Sequence, residues 1–405
     1  MSTLRSTCFE HLSNQVIDES GPGTVLRDFE TLLEFVGLEG VRSTGKYHLL
    51  PLNRLFELDE RLTHPLRPRL QRPKQQSFPH INGLYLLLRA TELGVPQGLG
   101  KRSGKLLLEP AVLECWRTLN ATERYFNLLE AWLRHASWEI VDGRGRGWVR
   151  ELALQARELW QGVPADGLRF KGDVPRSYLF YGVESFCTLA LFELFGLFSV
   201  QRGEPTSGEN WRIRAIEHTA FGDELLTVAF EEIEREVFGE ARDLPAFGAL
   251  QSRFQEYFPE WRSNLELPEP DFRDGVYYFK VSLGDVWRRI AIPAKSDLEE
   301  LAQSIIRAFD FDEDHLYQFD LRHRDGRGLV VDHPYTEDAE FHTDEFSIGY
   351  LSLAERESIG FRYDYGANWR FDVRLEKIDP PNDTITEPTI VESHGAPPGE
   401  YDLEE

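Results

Sequence analysis

The sequence predicts an α+β protein: a mainly helical N-terminal region with winged-helix-like repeats, and a C-terminal α+β domain with an antiparallel sheet. Apolar residues recur at helical spacing in segments 26–35, 52–62, 81–93, 121–133 and 151–161. After a Pro-rich acidic stretch at residues 265–273, alternating β-branched and aromatic residues replace that spacing. We therefore expect helical regions at 1–150 and 151–264, a linker at 265–274, an α+β domain at 275–379 and an acidic, Pro-rich tail at 380–405.

An internal repeat predicts the winged-helix-like units. Residues 44–51 and 103–110 share a Gly-Lys pair followed at the same spacing by a proline, and the copies lie 59 residues apart. A helix is expected at each proline, because the N–H that proline lacks would be unpaired in the first helical turn. Residues 195–216 form a weaker third copy. The order helix, turn, two short strands, helix is typical of a winged helix.

The C-terminal region predicts a sheet accompanied by a helix. Residues 276–283 and 287–292 alternate around Gly284-Asp285, which indicates a β-hairpin. Residues 297–309 indicate a helix, since Ser296 or Asp297 can cap its first turn. The remaining expected elements are strands at 317–322, 328–331, 361–365 and 371–378 and a helical turn at 351–357. The tail from residue 379 onward is expected to be irregular.

The charge is distributed unevenly along the chain. The formal net charge is −24, yet residues 1–150 carry +3 and residues 251–405 carry −19. A uniformly acidic protein would repel nucleic acids and anionic membranes. The asymmetry instead predicts that the two ends of the chain have different partners.

The cysteines and the apolar segments indicate the compartment. Cys8, Cys115 and Cys187 are scattered, which argues against a disulfide framework and against a thiolate zinc site. The N-terminus lacks the long apolar segment of a signal peptide, and the most apolar stretch, 179–200, is interrupted by Glu184 and Glu193. We expect buried free thiols and a cytoplasmic protein that needs no cofactor.

The strongest candidate binding segment is basic. Residues 61–105 hold nine Lys and Arg residues and a single acidic residue, Glu92. Prolines favour an extended arm at residues 67–74, and a second group of cations falls at the proposed wing. The predicted nucleic-acid-binding residues are Arg67, Arg69, Arg72, Lys74, Lys101, Arg102 and Lys105. Three partners remain open for them: a nucleic acid, another protein, or the acidic C-terminal domain of the same chain.

An acidic segment is the candidate metal site. If residues 338–344 form a strand, Asp338, Glu340, His342 and Asp344 share one face, and the weak metal-ligand candidates are Glu340 and His342. A solvated acidic loop is the other interpretation. The segment beginning at Asp310 lacks the Gly and Glu of a calcium loop, and the loop 94–102 has the wrong length for a phosphate loop. No nucleophile or metalloprotease motif is present, so no catalytic residue is predicted.

Three aromatic-rich segments carry a family resemblance. They are residues 276–290, 315–319 and 361–371. Together with the ending Pro397-Pro398-Gly399-Glu400, they resemble the plasmid pRiA-type open-reading-frame-three family, often carried as passenger proteins of transposons. The resemblance covers about residues 275–401. The residues that carry this hallmark here are Trp287, Arg288, His315, Tyr363, Asp364, Gly366 and Trp369.

The chain departs from the family hallmark at two polar positions. Where the family has Asp and His, this sequence has Ala367 and Phe371. The resemblance therefore implies a packing frame, which favours a structural or binding domain over a catalytic one. On a strand, Phe361, Tyr363 and Tyr365 would share one face, and Asp364 would serve the following turn.

These observations predict a cytoplasmic binding protein of the mobile-element passenger type that contacts nucleic acid through its basic N-terminal arm. Two alternatives remain. One is a protein–protein adaptor that uses the acidic C-terminal domain, and the other is a metal-assisted hydrolase at the acidic segment.

Overall fold

The computed structural model describes residues 9–45, 47–97, 103–141, 151–170, 183–237, 246–268, 271–324, 327–337 and 339–400. The chain divides into two compact units, Met1–Pro268 and Glu269–Glu405, which we call unit 1 and unit 2. The α+β class predicted from the sequence is confirmed. Among the described helices, none combines the length and apolar character needed to cross a membrane.

Unit 1 contains helices α1 to α10 and strands β1 to β6. The helices are Glu10–Asn14, Val25–Val36, Leu52–Asp59, Pro79–Ala90, Pro110–Thr118, Ala121–Glu130, Glu151–Gly162, Val183–Leu194, Ala220–Val237 and Gln251–Phe254. The strands are Val41–Thr44, Gly94–Gln97, Ser103–Leu108, Leu168–Arg169, Phe198–Gly203 and Arg212–His218. One cluster of buried apolar side chains runs from Leu12 to Leu265 and forms the core of this unit.

Local sequence explains where several of these helices begin. Pro79 and Pro110 occupy the first turns of α4 and α5, where the missing N–H costs nothing. Asn120 caps α6: its side chain accepts the Glu123 amide, and the Glu123 carboxylate accepts the Asn120 amide. Each signal depends on neighbouring residues only, which is why these starts are readable in the sequence.

The described residues of unit 1 form two three-stranded antiparallel sheets with the same topology. Their strand orders are β1-β3-β2 and β4-β6-β5, so in each sheet the last strand lies between the other two. The segments 44–51 and 103–110 are therefore not two separate modules, as the repeat had suggested. The first begins at the last residue of β1, and the second contains β3. These two strands pair in one sheet, with Val41 opposite Leu106.

Helices α4 and α8 pack against each other. Every residue of α4 is buried, including the polar His80, Asn82 and Arg89. The approach is close at Gly83, where an added Cβ would lie 3.0 Å from the side chain of Leu191. Helix α4 is therefore buried in the core along its whole length.

The predicted linker begins inside unit 1. Leu265 is buried, and its amide donates to Asn127 Oδ1 at 2.8 Å. Leu267 also packs against the core of this unit, and the division between the units falls after Pro268.

Unit 2 is built on a seven-stranded antiparallel sheet with a helix on one face. The strands β7 to β13 are Val276–Leu283, Val286–Pro293, Tyr317–Arg322, Gly328–Asp332, Ser358–Tyr363, Trp369–Asp379 and Thr389–His394. Their order in the sheet is β10-β9-β11-β12-β7-β8-β13. Helix α11, Leu298–Ala308, buries Leu298, Leu301 and Ile305 in the core of this unit.

Three expectations for unit 2 are wrong. The tail is not wholly irregular, because it contains β13, which pairs with β8 at the edge of the sheet. Residues 351–357 form no helical turn, and a short 3-10 helix lies earlier, at Ile348–Tyr350. Tyr365 lies beyond the end of β11 and is 38% exposed, whereas Phe361 and Tyr363 are buried as expected.

Candidate functional site

The basic arm is an extended segment fixed to the surface of unit 1. Pro68 and Pro73 are buried, while Arg69, Arg72 and Lys74 are exposed. The Arg69 amide donates to the Glu209 carbonyl at 2.9 Å, and its carbonyl accepts from the Gly208 amide at 2.9 Å. The backbone is thus held against the loop between β5 and β6, so the three cations project from an ordered support.

Arg67 has its own acidic partners. Its guanidinium donates two hydrogen bonds of 2.9 Å to the Glu60 carboxylate, and its amide donates to Asp59 Oδ2 at 2.8 Å. The hydrogen bond with Glu60 raises the pKa of Arg67 and lowers the pKa of Glu60. Because the Glu60 carboxylate neutralises the Arg67 guanidinium, Arg67 offers little charge to a partner. Its main role is to hold the arm in position.

Arg69, Arg72 and Lys74 differ from Arg67 in this respect. Within the described ranges, no ion pair joins these three side chains to a carboxylate. Their positive charge is therefore available at the surface of unit 1.

A second pair of cations lies on the first sheet. Lys105 of β3 is exposed and stands opposite Arg42 of β1, which is exposed as well. Like charges directly opposite in an antiparallel pair repel each other, and an anion bound to both relieves that repulsion. Arg42 was missed from the sequence, although its place between the inward-facing Val41 and Ser43 is a signal of exposure. Lys101 and Arg102 lie outside the described residues.

Two other cations of segment 61–105 offer little charge to a partner, one because it is buried and one because it is ion-paired. Arg89 is only 2% exposed and lies beside Tyr85 inside unit 1. Arg61 donates to Glu57 at 2.6 Å on the preceding turn of chain. The count of nine basic residues in the sequence therefore overstates the charge that a partner meets.

In unit 2 the hallmark residues separate into two groups. Trp287 and Arg288 belong to β8; the Arg288 guanidinium donates to the carbonyls of Ala308 and His394 at 2.8 and 3.0 Å. Arg288 thereby ties the end of α11 to β13. The other hallmark residues lie around the β11–β12 turn, with Trp369 packed against Phe311.

Asp364 organises that turn. Its backbone has a positive φ of 49°, and its Oδ1 accepts the Gly366 amide at 2.8 Å, which confirms the expected turn role. The Asp364 amide donates to the Leu316 carbonyl at 3.1 Å, and Oδ2 lies 3.8 Å from His315 Nε2. The turn is therefore linked to the loop that carries His315.

Phe371, which replaces the family's His, is part of the core. It is 3% exposed and packs against Phe309, Phe311 and Phe361. At this position the hallmark is a packing frame.

Asp314, His315 and Glu400 come together beside the same turn. A ligand-capable atom from each lies within 4.8 Å of the other two. His315 Nε2 is 3.5 Å from Asp314 Oδ1. The Glu400 carboxylate is buried and accepts the Asp312 amide through Oε2 at 2.5 Å.

Tyr363 borders this cluster without offering a free hydroxyl. Its hydroxyl donates to the Asp312 carbonyl. Burial raises the pKa of Tyr363, and the neighbouring Glu400 carboxylate adds to the shift. Tyr363 therefore stays protonated and supports the loop that carries Asp314 and His315.

The metal ligands predicted from the sequence, Glu340 and His342, lie outside this cluster, and their segment does not form the expected strand. Residues 339–344 form no strand, so Glu340, His342 and Asp344 do not share the face of a strand, and Asp338 lies outside the described residues. Glu340 is exposed, and His342 contacts the Thr336 carbonyl through Nε2 at 3.1 Å. Among the described residues, Glu340 and His342 are not part of a three-residue metal-binding group.

Unit 2 is thus an α+β domain in which aromatic side chains of the antiparallel sheet pack in the core. Residues 276–402 match the sequence model of a family described as plasmid pRiA4b ORF-3-like protein, which confirms the resemblance for this domain. A solved protein of unknown function from Methanosarcina mazei Go1 is 24% identical to the chain, with a TM-score of 0.29. That match covers 32% of this chain and 74% of the other. The comparison with curated proteins gave no match.

Proposed function

We propose that unit 1 binds nucleic acid by contacting its phosphate backbone through Arg69, Arg72 and Lys74, with Arg42 and Lys105 as a second contact. The main observation behind the proposal is that the arm is fixed to the surface of unit 1. Its prolines are buried and its backbone is hydrogen-bonded, so three cations are presented on a fixed support. Phosphate neutralisation by such groups, with release of counterions, is the main source of sequence-independent affinity for nucleic acid.

The topology of the first sheet also supports the proposal that unit 1 binds nucleic acid. Helix α2, strand β1, helices α3 and α4 and the hairpin β2–β3, with the strand order β1-β3-β2, follow the order expected of a winged helix. In that arrangement α4 occupies the place of the recognition helix. The hairpin β2–β3 would correspond to the wing; Lys101 and Arg102, which fall between its strands in the sequence, lie outside the described residues.

The burial of α4 limits the mode of binding. A helix that reads bases must enter the major groove with an exposed face. All residues of α4 are buried, so it offers no such face. The proposed contacts are therefore with phosphates, and the proposed binding is independent of base sequence.

Salt-dependent binding by the full chain tests the proposal. We expect the affinity for a fluorescent DNA duplex or single-stranded RNA, measured by anisotropy, to fall linearly on a log–log plot of salt concentration. The variant Arg69→Ala/Arg72→Ala/Lys74→Ala should weaken binding and reduce that slope by about three, because each phosphate contact contributes a slope of about 0.9.

A matched control removes three cations that are already ion-paired. Arg169, Arg235 and Arg307 pair with Glu217, Glu232 and Glu313. The variant Arg169→Ala/Arg235→Ala/Arg307→Ala loses the same formal charge and should keep the wild-type slope. A flat salt response of the wild type, or equal losses in both variants, contradicts the proposal and favours a protein partner for the arm.

A further inference from the structure

We propose that Asp314, His315 and Glu400 of unit 2 form a binding site for a divalent transition-metal ion of the Zn²⁺ class. The site is independent of the basic arm. It joins the loop before β9 to the end of the chain's described part, since residues 312 and 400 are linked by a hydrogen bond.

The distances suit a site that closes on an ion. Ligand atoms about 2.1 Å from a tetrahedral ion lie about 3.4 Å apart. Asp314 Oδ1 and His315 Nε2 are already 3.5 Å apart, and the whole group spans 4.8 Å or less. The side chains of Asp314 and His315 are 59% and 38% exposed, so both can move towards the buried Glu400.

Glu400 gives the independent evidence for a ligand. Its residue is 8% exposed, and its Oε1 is sealed from solvent without a hydrogen-bond partner among the described residues. A buried carboxylate oxygen without a partner is costly, and a metal ion is one of the groups that satisfies such an atom. The other oxygen, Oε2, is held by the Asp312 amide, which fixes the carboxylate in place.

The donor set indicates the class of ion. Imidazole nitrogen is typical of Zn²⁺, Fe²⁺, Ni²⁺ and Cu²⁺ sites, whereas Mg²⁺ and Ca²⁺ favour oxygen ligands alone. One imidazole with two carboxylates gives three protein ligands, and a fourth position remains for water. Asp364 Oδ2 lies 3.8 Å from His315 Nε2, so a further carboxylate is close enough to approach the ion.

This assignment differs from a site at the altered hallmark positions. Ala367 and Phe371 offer no ligand, and the proposed group uses neither of them. It also differs from the acidic segment, because Glu340 and His342 are outside the group.

Calorimetric titration of the untagged full chain, first stripped with a chelator, tests the site with ZnCl₂ and MnCl₂. We expect one Zn²⁺ per chain. The variants His315→Ala and Glu400→Gln should each raise the Kd for Zn²⁺ at least about tenfold. Mutation of a residue that only hydrogen-bonds to a metal ligand already lowers metal affinity by about 10–100-fold. The control variants Glu340→Gln and His394→Ala remove one carboxylate and one imidazole elsewhere in unit 2 and should keep the wild-type Kd.

Both site variants should remain folded by circular dichroism. The His315 side chain is partly exposed, and a glutamine at position 400 keeps an oxygen that can accept the Asp312 amide. Absence of saturable Zn²⁺ binding in the wild type overturns the proposal. So does an unchanged Kd in His315→Ala, or an equal loss in the control variants.

Discussion

Glu193 of α8 binds His80 of α4 although 113 residues separate them, with His80 Nε2 lying 2.7 Å from Glu193 Oε2. Arg202 of β5 donates to the same carboxylate through Nε and Nη2 at 2.9 and 2.5 Å. Burial by itself raises the pKa of Glu193, but the hydrogen bonds and charges of His80 and Arg202 outweigh it and lower the pKa to about 2. This ionic group therefore joins α4, α8 and β5.

Glu193→Gln should destabilise unit 1 at neutral pH. Because the pKa falls from 4.5 to about 2 on folding, the carboxylate contributes its full stabilisation above pH 4.5 and loses it as the pH falls towards 2. That shift corresponds to about 3 kcal/mol. Urea unfolding followed by tryptophan fluorescence should show a loss of about 2–3 kcal/mol at pH 7 and a weaker dependence on pH between 5 and 2. The exposed-residue control Glu231→Gln should match the wild type, and an identical acid dependence in Glu193→Gln would rule out this role.

Asp297→Ala should destabilise unit 2 by removing a helix cap. Asp297 Oδ1 accepts the Glu300 amide at 2.8 Å, and Glu300 Oε2 accepts the Asp297 amide at 3.2 Å. Loss of such a cap costs about 1 kcal/mol. Asp297→Asn keeps an acceptor oxygen and should lose much less in the same denaturation experiment. Equal losses in the two variants would show that the charge, and not the cap, is what matters.

The two described cysteines should differ in reactivity. Burial raises the pKa of the Cys187 thiol to about 12, and Asn82 Nδ2 donates to its sulfur at 3.7 Å. Cys115 is partly exposed. Because the thiolate is the reactive form, iodoacetamide at pH 8 should modify Cys115 in the folded protein and Cys187 only after denaturation. Peptide mass spectrometry separates the two sites, and rapid labelling of Cys187 in the folded protein would contradict its burial.

Gly196→Ala should be strongly destabilising, because two backbones meet there. Gly196 has a φ of 71°, and an added Cβ would lie 2.5 Å from the backbone nitrogen of Gly23. We expect a loss of at least about 2 kcal/mol from strain and displacement together.

Gly208 supplies the matched control for that substitution. It also has a positive φ, 92°, but nothing lies within 4 Å of an added Cβ. Gly208→Ala should therefore cost only the conformational part, about 1 kcal/mol. If the two variants lose equal stability in thermal unfolding, the close approach of Gly23 and Gly196 contributes nothing.

The elements that the sequence predicted well are those with local signals. The helix expected at 26–35 is found at Val25–Val36, and the hairpin expected around Gly284-Asp285 is found at Val276–Leu283 and Val286–Pro293. The strand expected at 317–322 has those limits. Periodicity, caps and turn residues act over a few positions, so a single sequence contains the information.

Pairings between distant segments could not be predicted in the same way. The Gly-Lys repeat suggested two modules, yet β1 pairs with β3 in one sheet. The tail looked irregular because it contains prolines and carboxylates, but the free edge of β8 gives β13 a partner. In each case the deciding hydrogen bonds come from a strand far away in the sequence.

The same distinction, between local signals and contacts of distant segments, applies to the candidate sites. The sequence by itself determined the family of the C-terminal domain, the basic character of the arm and the packing role of Phe371. Only the tertiary structure decided that Arg89 is buried, that Glu60 neutralises Arg67 and that Arg42 stands beside Lys105. It also brought Glu400 to Asp314 and His315. Residue type and spacing fix local conformation, whereas burial, charge pairing and ligand geometry depend on which distant groups the folded chain brings within a few ångströms.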